Sequence, residues 1–330
     1  SMSDAAPSQS EQSWLAYFPS TFFGAVMGIS GLGLSWRWAE ELMGWSTLPG
    51  DIILSIGALI LIVSTPLYGL KMLRYPEALQ ADIAHPVKSA FLSAFPVAII
   101  LQVSALAPIH MGTAEILWLI GAPLSLLVNF FVFSRWYLVS GGTSRMNSIW
   151  LIPAAGSFLI AMAGQQVGFL EAAWFFFAIG VMFGGSILIL IIYRYISEDR
   201  LIDPLVPTYF VPIVPPGLMS IIYPMLTNWQ MGDEISSFVR ITFYFALFLL
   251  LFNLSMIKIF WRLKFSMGWW AYTFPLDTAA AAVIVYAHST QNVYLEQFGA
   301  ILLPVSTIFI LYILGRTLLE IKRGNVLVAD

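Results

Sequence analysis

The sequence predicts an all-α integral membrane protein with ten transmembrane helices, and three observations carry that expectation. Only 10% of the 330 residues are charged and 59% are hydrophobic, against roughly 25% charged in a soluble globular domain. Ten windows approach the ~20 apolar residues that a helix needs to cross the hydrocarbon core. The basic residues between those windows lie almost entirely on one side. The same composition narrows the function classes. A formal net charge of −3 supplies no basic surface for nucleic acid, so no nucleic-acid partner is expected. Cysteine is absent, which excludes disulfides, thiolate metal sites and cysteine nucleophiles. Residues 1–13 are polar and lack a basic n-region, so no cleaved signal peptide is expected.

The ten windows are 18–36, 49–73, 87–106, 111–134, 148–164, 169–193, 205–227, 235–258, 266–288 and 294–316. Lys71, Arg74, Lys88, Arg135, Arg145, Arg194, Arg200, Lys258, Arg262, Lys264, Arg316, Lys322 and Arg323 fall on one side of them; only Arg37 and Arg240 fall on the other. The positive-inside rule makes the first side cytoplasmic. Both termini are therefore expected in the cytoplasm, with odd-numbered spans running outward. The domain reading is a cytoplasmic tail over 1–17, a ten-helix transmembrane domain over 18–321, and a second cytoplasmic tail over 322–330.

The odd-numbered spans share a pattern: an apolar or aromatic pair, proline, then small residues. It reads YFPST ending at Thr21, AFPVA around Pro96, LIPAAG around Pro153, IVPPG at Pro215 and Pro216, and TFPLD around Pro275. From Pro96 onward the intervals are 57, 62 and 60 residues, about one helical hairpin each, so the chain reads as five consecutive hairpins. The interval from Pro19 to Pro96 is longer because a loop is expected over 74–86. Proline inside a helix frees the carbonyl four residues back and bends the rod, so kinks are expected at Pro96, Pro153, Pro215, Pro216 and Pro275. Lipid offers such a carbonyl no partner, and irregular backbone is tolerated only against protein or a water-filled cavity. The odd helices accordingly belong inside and the Leu, Ile, Val and Phe-rich even helices outside. Five inner helices around one axis leave a central channel.

FPSTFFGAVMGISGLGLSW in the first span, HPVKSAFLSAFPVAI, LIPAAGSF, VPTYFVPIVPPGLMS, and WWAYTFPLD in the ninth stand in a fixed order and spacing along the chain. Together these stretches resemble the tellurite-resistance/dicarboxylate transporter family, which includes bacterial TehA and the slow-type anion channel of plant guard cells. The resemblance implies a homotrimer in the bacterial inner membrane. Each protomer would hold five helical hairpins in quasi-fivefold array around its own pore. It also implies a phenylalanine gate on the ninth helix, at the position occupied here by Phe274, and the passage of small inorganic anions such as chloride and nitrate. Read from the residues alone, Phe274 is either a core aromatic or a hydrophobic constriction that closes a pore by dewetting.

The residues give weaker guidance on selectivity. Pore-lining candidates are Phe23, Ser30, Ser93, Ser157, Ser220, Thr273 and Asp277, the hydroxyls being potential donors to an anion. Lys88, Arg145 and Lys264 lie just before odd helices and are candidates for a cytoplasmic mouth that concentrates anions. Asp277 opposes that preference, since a carboxylate near mid-span costs about 2.5–3.5 kcal/mol on insertion scales. Three roles are open to it: a protonated hydrogen-bond donor, a proton-coupling group, or a residue turned into the layer between helices. A coupling role would make the protein a proton-coupled carrier of C4-dicarboxylates such as malate, or an exporter of sulfite or tellurite, the substrates associated with other relatives. Gly28-Ile29-Ser30-Gly31 also matches the GxSG of serine intramembrane hydrolases, with His288 as the potential base; this reading carries the least weight. Metal-binding, nucleotide-binding and cofactor motifs are absent from the sequence, so no cofactor is expected and no enzyme activity is assigned.

Overall fold

The computed structural model describes residues 14–139 and 141–328, the side chains of residues 86, 87 and 90 excepted. Most of the tail expected over 1–17, together with residues 329–330, lies outside the described residues. All regular structure within them is helical. A 3-10 turn at Trp14–Tyr17, with Leu15 and Ala16 buried, leads into α1 (Thr21–Met43) and α2 (Leu48–Arg74). Then follow α3 (Pro76–Ala84), α4 (Pro86–Leu92), α5 (Ala94–Leu106), α6 (Met111–Leu138), α7 (Leu151–Gln166), α8 (Leu170–Ser197) and α9 (Val214–Leu226). The chain ends with α10 (Ser237–Ser255), α11 (Ile257–Trp261), α12 (Thr273–Thr290) and α13 (Val293–Lys322).

Seven of these segments are long and apolar enough to cross a membrane: α2, α6, α8, α10, α13, and the stretches Ser148–Gln166 and Asp203–Leu226 that contain α7 and α9. The sequence windows at 18–36, 87–106 and 266–288 fold as helices too, but α1 carries charge at its far end and the other two are interrupted. The loop expected over 74–86 is instead helix α3, with Pro76 at its first position, where the missing N–H would have no intrahelical partner anyway.

The recurrent prolines share a structural position. Pro96, Pro153, Pro215, Pro216 and Pro275 all lie within the first three residues of α5, α7, α9 and α12. In each case the chain before them is already helical: α4, or the 3-10 segments Ser148–Trp150, Asp203–Ile213 and Met267–Tyr272. The junction residues Ser93, Trp150, Ile213 and Tyr272 keep right-handed helical backbone angles. The direction of the chain therefore persists while the hydrogen-bond pattern changes, because proline can neither donate nor tolerate the carbonyl four residues back. Asn147 and Ser266 cap two of the tight segments, accepting from Ile149 N at 3.0 Å and from Gly268 N at 3.2 Å.

Burial sorts the helices sharply. The most apolar windows of α2, α6, α8, α10 and α13 are 28–39% buried within the protein, whereas those containing α7 and α9 are 89% buried. In α12 every residue from Thr273 to Ala287 is buried except the half-buried Leu276 and Val285. Consecutive helices pair as α1 with α2, α5 with α6, α7 with α8, α9 with α10 and α12 with α13. The buried member of each pair also touches the next: α1 on α5, α5 on α7, α7 on α9, α9 on α12, and α12 back on α1. Glycine allows two of these approaches, Gly28 lying against Thr273 and Gly156 against Val97 where an added Cβ would collide; small residues let membrane helices meet this closely.

Polar pairs tie the two ends of the bundle. Arg37 donates to Ala105 O at 2.9 Å and lies 3.5 Å from Asp51, linking α1, α2 and α5. At the other end Lys71, in the last turn of α2, is buried, with its Nζ 2.6 Å from Asp82 and 3.0 Å from Phe18 O. Tyr68 OH donates to the same Asp82 oxygen at 2.8 Å. Lys71, counted from the sequence among the basic residues of the cytoplasmic side, is thus buried inside α2.

Candidate functional site

The candidate site is a cavity of about 30 Å³ that takes side chains from all five buried helices. α1 contributes Gly31 and Ser35, α5 Leu101, α7 Leu159, α9 Leu218, and α12 Phe274, Asp277 and Thr278. Most of the lining is apolar. The phenyl ring of Phe274, 9% exposed, lies against the backbone of α1. A Cβ placed on Gly31 would come within 2.9 Å of two of its ring carbons and 2.7 Å of Asp277 Oδ2. Glycine at 31 is thus what lets the ring and the carboxylate sit side by side.

Asp277 is only 2% exposed. Neither carboxylate oxygen has a hydrogen-bond partner among the described residues, and neither has the hydroxyl of Thr278 beside it. Buried polar atoms usually are partnered, so two such side chains in a single small cavity are unusual. Ser35 Oγ lies 3.0 Å from Gly31 O and 2.8 Å from the main-chain oxygen of Asp277. It pins α1 to α12 at the level of the cavity and leaves the carboxylate itself untouched. Asp277 is the one titratable residue among those that line the cavity.

Of the residues expected to matter from sequence, the cavity brings together Phe274 and Asp277. The others lie elsewhere. Phe23 packs its ring 5.0 Å from Phe95 and 5.4 Å from Tyr68. Ser30 accepts from Gln102 Nε2 at 3.1 Å and faces Gly57 of α2, so its hydroxyl is engaged by an amide rather than a histidine. Ser157, Ser220 and Thr273 donate to main-chain carbonyls of Pro153, Gly217 and Trp270 at 3.2, 2.7 and 2.7 Å. Ser93, at the break between α4 and α5, is buried without a partner among the described residues. The three basic candidates separate. Lys88 lines a larger cavity of about 710 Å³ at the end where α1 begins, together with Thr21, Lys71, Ser266 and Glu320. Arg145 sits beside Trp150 in a different pocket, and Lys264 is exposed. Ser35 and Thr278 are polar lining residues that were not among the candidates read from the sequence, and Gly31 was not among the pore-lining candidates either. Small residues three and four apart along α1 were a signal, but packing explains such spacing equally well.

An all-helical chain with seven membrane-length apolar segments and a buried core of proline-started helices defines a multi-pass membrane protein. The chain belongs to the voltage-dependent anion channel (SLAC1) family, whose profile matches residues 17–318. It is 25% identical to the S-type anion channel SLAH2 of Arabidopsis thaliana over 94% of this chain and 61% of that protein. It is 26% identical to the guard cell S-type anion channel SLAC1 of the same plant, over 95% of this chain and 58% of that one. The tellurite resistance protein TehA homolog of Haemophilus influenzae is 22% identical over 82% of this chain and 81% of its own length. The chain thus spans about three-fifths of the plant relatives it matches. The resemblance carried by FPSTFFGAVMGISGLGLSW and WWAYTFPLD is to the family in which the chain falls, and the plant relatives are named as channels, not enzymes.

Proposed function

We propose that this protein is a gated anion channel in which Phe274 closes a pore through each protomer. The observation that carries the reading is the small cavity of about 30 Å³ that Phe274 lines and to which five helices contribute. On this reading the ten spans are five hairpins in quasi-fivefold array, with the proline-started helices around the pore and the others against lipid. Both tails, over 1–17 and 322–330, are cytoplasmic, three protomers assemble as a homotrimer, and the membrane is the inner membrane of a bacterium. The relatives named as anion channels support an anion as the permeant species, and chloride and nitrate are the ions we assign. Lys88, with Lys71 behind it, stands at the cytoplasmic mouth. Dewetting of the apolar lining holds the closed state, and rotation of the Phe274 ring wets the path.

The unpartnered carboxylate of Asp277 favours a second reading, a proton-coupled carrier of dicarboxylates such as malate or an exporter of sulfite or tellurite. Electrical recording separates the two. Cells expressing Phe274→Ala pass large chloride and nitrate currents if the chain is a channel. A carrier gives no such current and shows proton-dependent malate uptake in vesicles.

A further inference from the structure

A second pocket, apart from the one at Phe274, has the chemistry of an anion site facing lipid. It has a volume of about 100 Å³ and lies between α3, α6 and the segment leading into α7. None of its lining comes from α1, α5, α9 or α12. Arg135, Arg145, Trp136 and Trp150 form its polar and aromatic walls. The indoles of Trp136 and Trp150 stack at 4.5 Å with their planes 7° apart, and the Arg145 guanidinium lies 5.5 Å from the Trp150 ring centre. Arg145 Nη2 donates to Val139 O at 2.8 Å, which fixes the guanidinium against the indole. Two donors are left over. Arg145 Nε and the Nε1 of Trp150, whose side chain belongs to a residue only 7% exposed, are buried with no partner among the described residues. Neither arginine forms an ion pair with a carboxylate among those residues.

Two cations with no counter-charge among the described residues, and two buried N–H groups with no acceptor among them, one being the Nε of Arg145 itself, call for an oxyanion. The surroundings decide which oxyanion. The pocket opens beside Phe131 and Val139, 45% and 43% exposed, and next to Leu138 at 82%, on a helix whose outer face is apolar. Arginine and tryptophan at the end of a lipid-facing helix sit at headgroup depth. We propose that this pocket binds the phosphate of an anionic phospholipid, held between Arg135 and Arg145 with the Trp150 indole N–H as a further donor. The inference does not rest on the channel reading, since it concerns a site away from the Phe274 cavity.

Native mass spectrometry of the full chain, offered phosphatidylglycerol and phosphatidylcholine in equal amounts, tests it. Wild type is expected to retain phosphatidylglycerol preferentially. The Arg135→Gln/Arg145→Gln pair should lower that retention at least about tenfold, the lower bound for losing hydrogen bonds to a charged group. Trp150→Phe keeps an aromatic face against Trp136 but removes the five-membered ring with its N–H, and should lower retention severalfold even if the arginine variant misfolds. Arg262→Gln, an exposed cation outside the pocket, should change nothing. Equal retention of the two lipids, or preference for phosphatidylglycerol that survives both pocket variants, would overturn the site. Displacement of the lipid by excess inorganic phosphate would reassign it to a soluble anion.

Discussion

Gly31, Phe274 and Asp277 behave as one unit because each occupies space the others need. A methyl group at position 31 meets both the ring and the carboxylate below 3 Å. Overpacking of this kind costs about 1–3 kcal/mol. Gly31→Ala should therefore lower the thermal unfolding midpoint in detergent, and adding Phe274→Ala should recover much of the loss, since residues in contact are not additive. Additive effects would mean that the ring does not rest on Gly31. Asp277 gives a prediction with a sign. An ionised carboxylate in this cavity repels an entering anion and a protonated one does not. Conduction should rise as the pH falls across its titration, and Asp277→Asn should remove that dependence. Identical pH profiles for the two proteins would detach the carboxylate from transport. At this scale the sequence announced Phe274 and Asp277, because an aromatic and a charge beside a proline are conspicuous inside an apolar span. Thr278 and Ser35 were silent, since hydroxyls in membrane helices ordinarily bond to their own backbone.

At the scale of the element, the division into buried and lipid-facing helices was legible because lipid itself writes the composition of the outer ones. α8 and α10 are rich in Leu, Ile and Phe, while α1 and α12 carry the Gly, Ala and Ser that close packing requires. The 3-10 segments before the prolines were not legible: proline announces a break, but whether the chain ahead of it stays helical is decided by packing, as at Asp203–Ile213. Nor was α3, whose nine residues give too short a pattern to separate from a loop. The ion pair between Lys71 and Asp82 depends on that helix. Both side chains are under one-tenth exposed, and removal of one partner from a buried pair costs about 3–5 kcal/mol. Lys71→Met should destabilise the protein by that order, with Lys71→Met/Asp82→Leu regaining most of it in a thermal assay. Unchanged melting of the single variant would mean that the pair does not hold α2 to α3.

For the whole molecule, the ring of contacts from α1 through α5, α7, α9 and α12 back to α1 gives the Phe274 cavity its five-sided lining. The wider cavity of about 710 Å³ lies at the end where α1 begins, with Lys71, Lys88, Asp82 and Glu320 in its walls. Its mixed charge distinguishes it from the apolar constriction. On the proposed reading an anion passes from this charged cavity to the narrower one at Phe274, whose one titratable lining residue is Asp277. The most direct test is anion current in voltage-clamped cells expressing wild type and Phe274→Ala, with chloride, nitrate and malate compared at two pH values. The account predicts a large rise in chloride and nitrate current on truncation of the ring. Equal, negligible currents from both proteins, with the variant present at the cell surface, would contradict it.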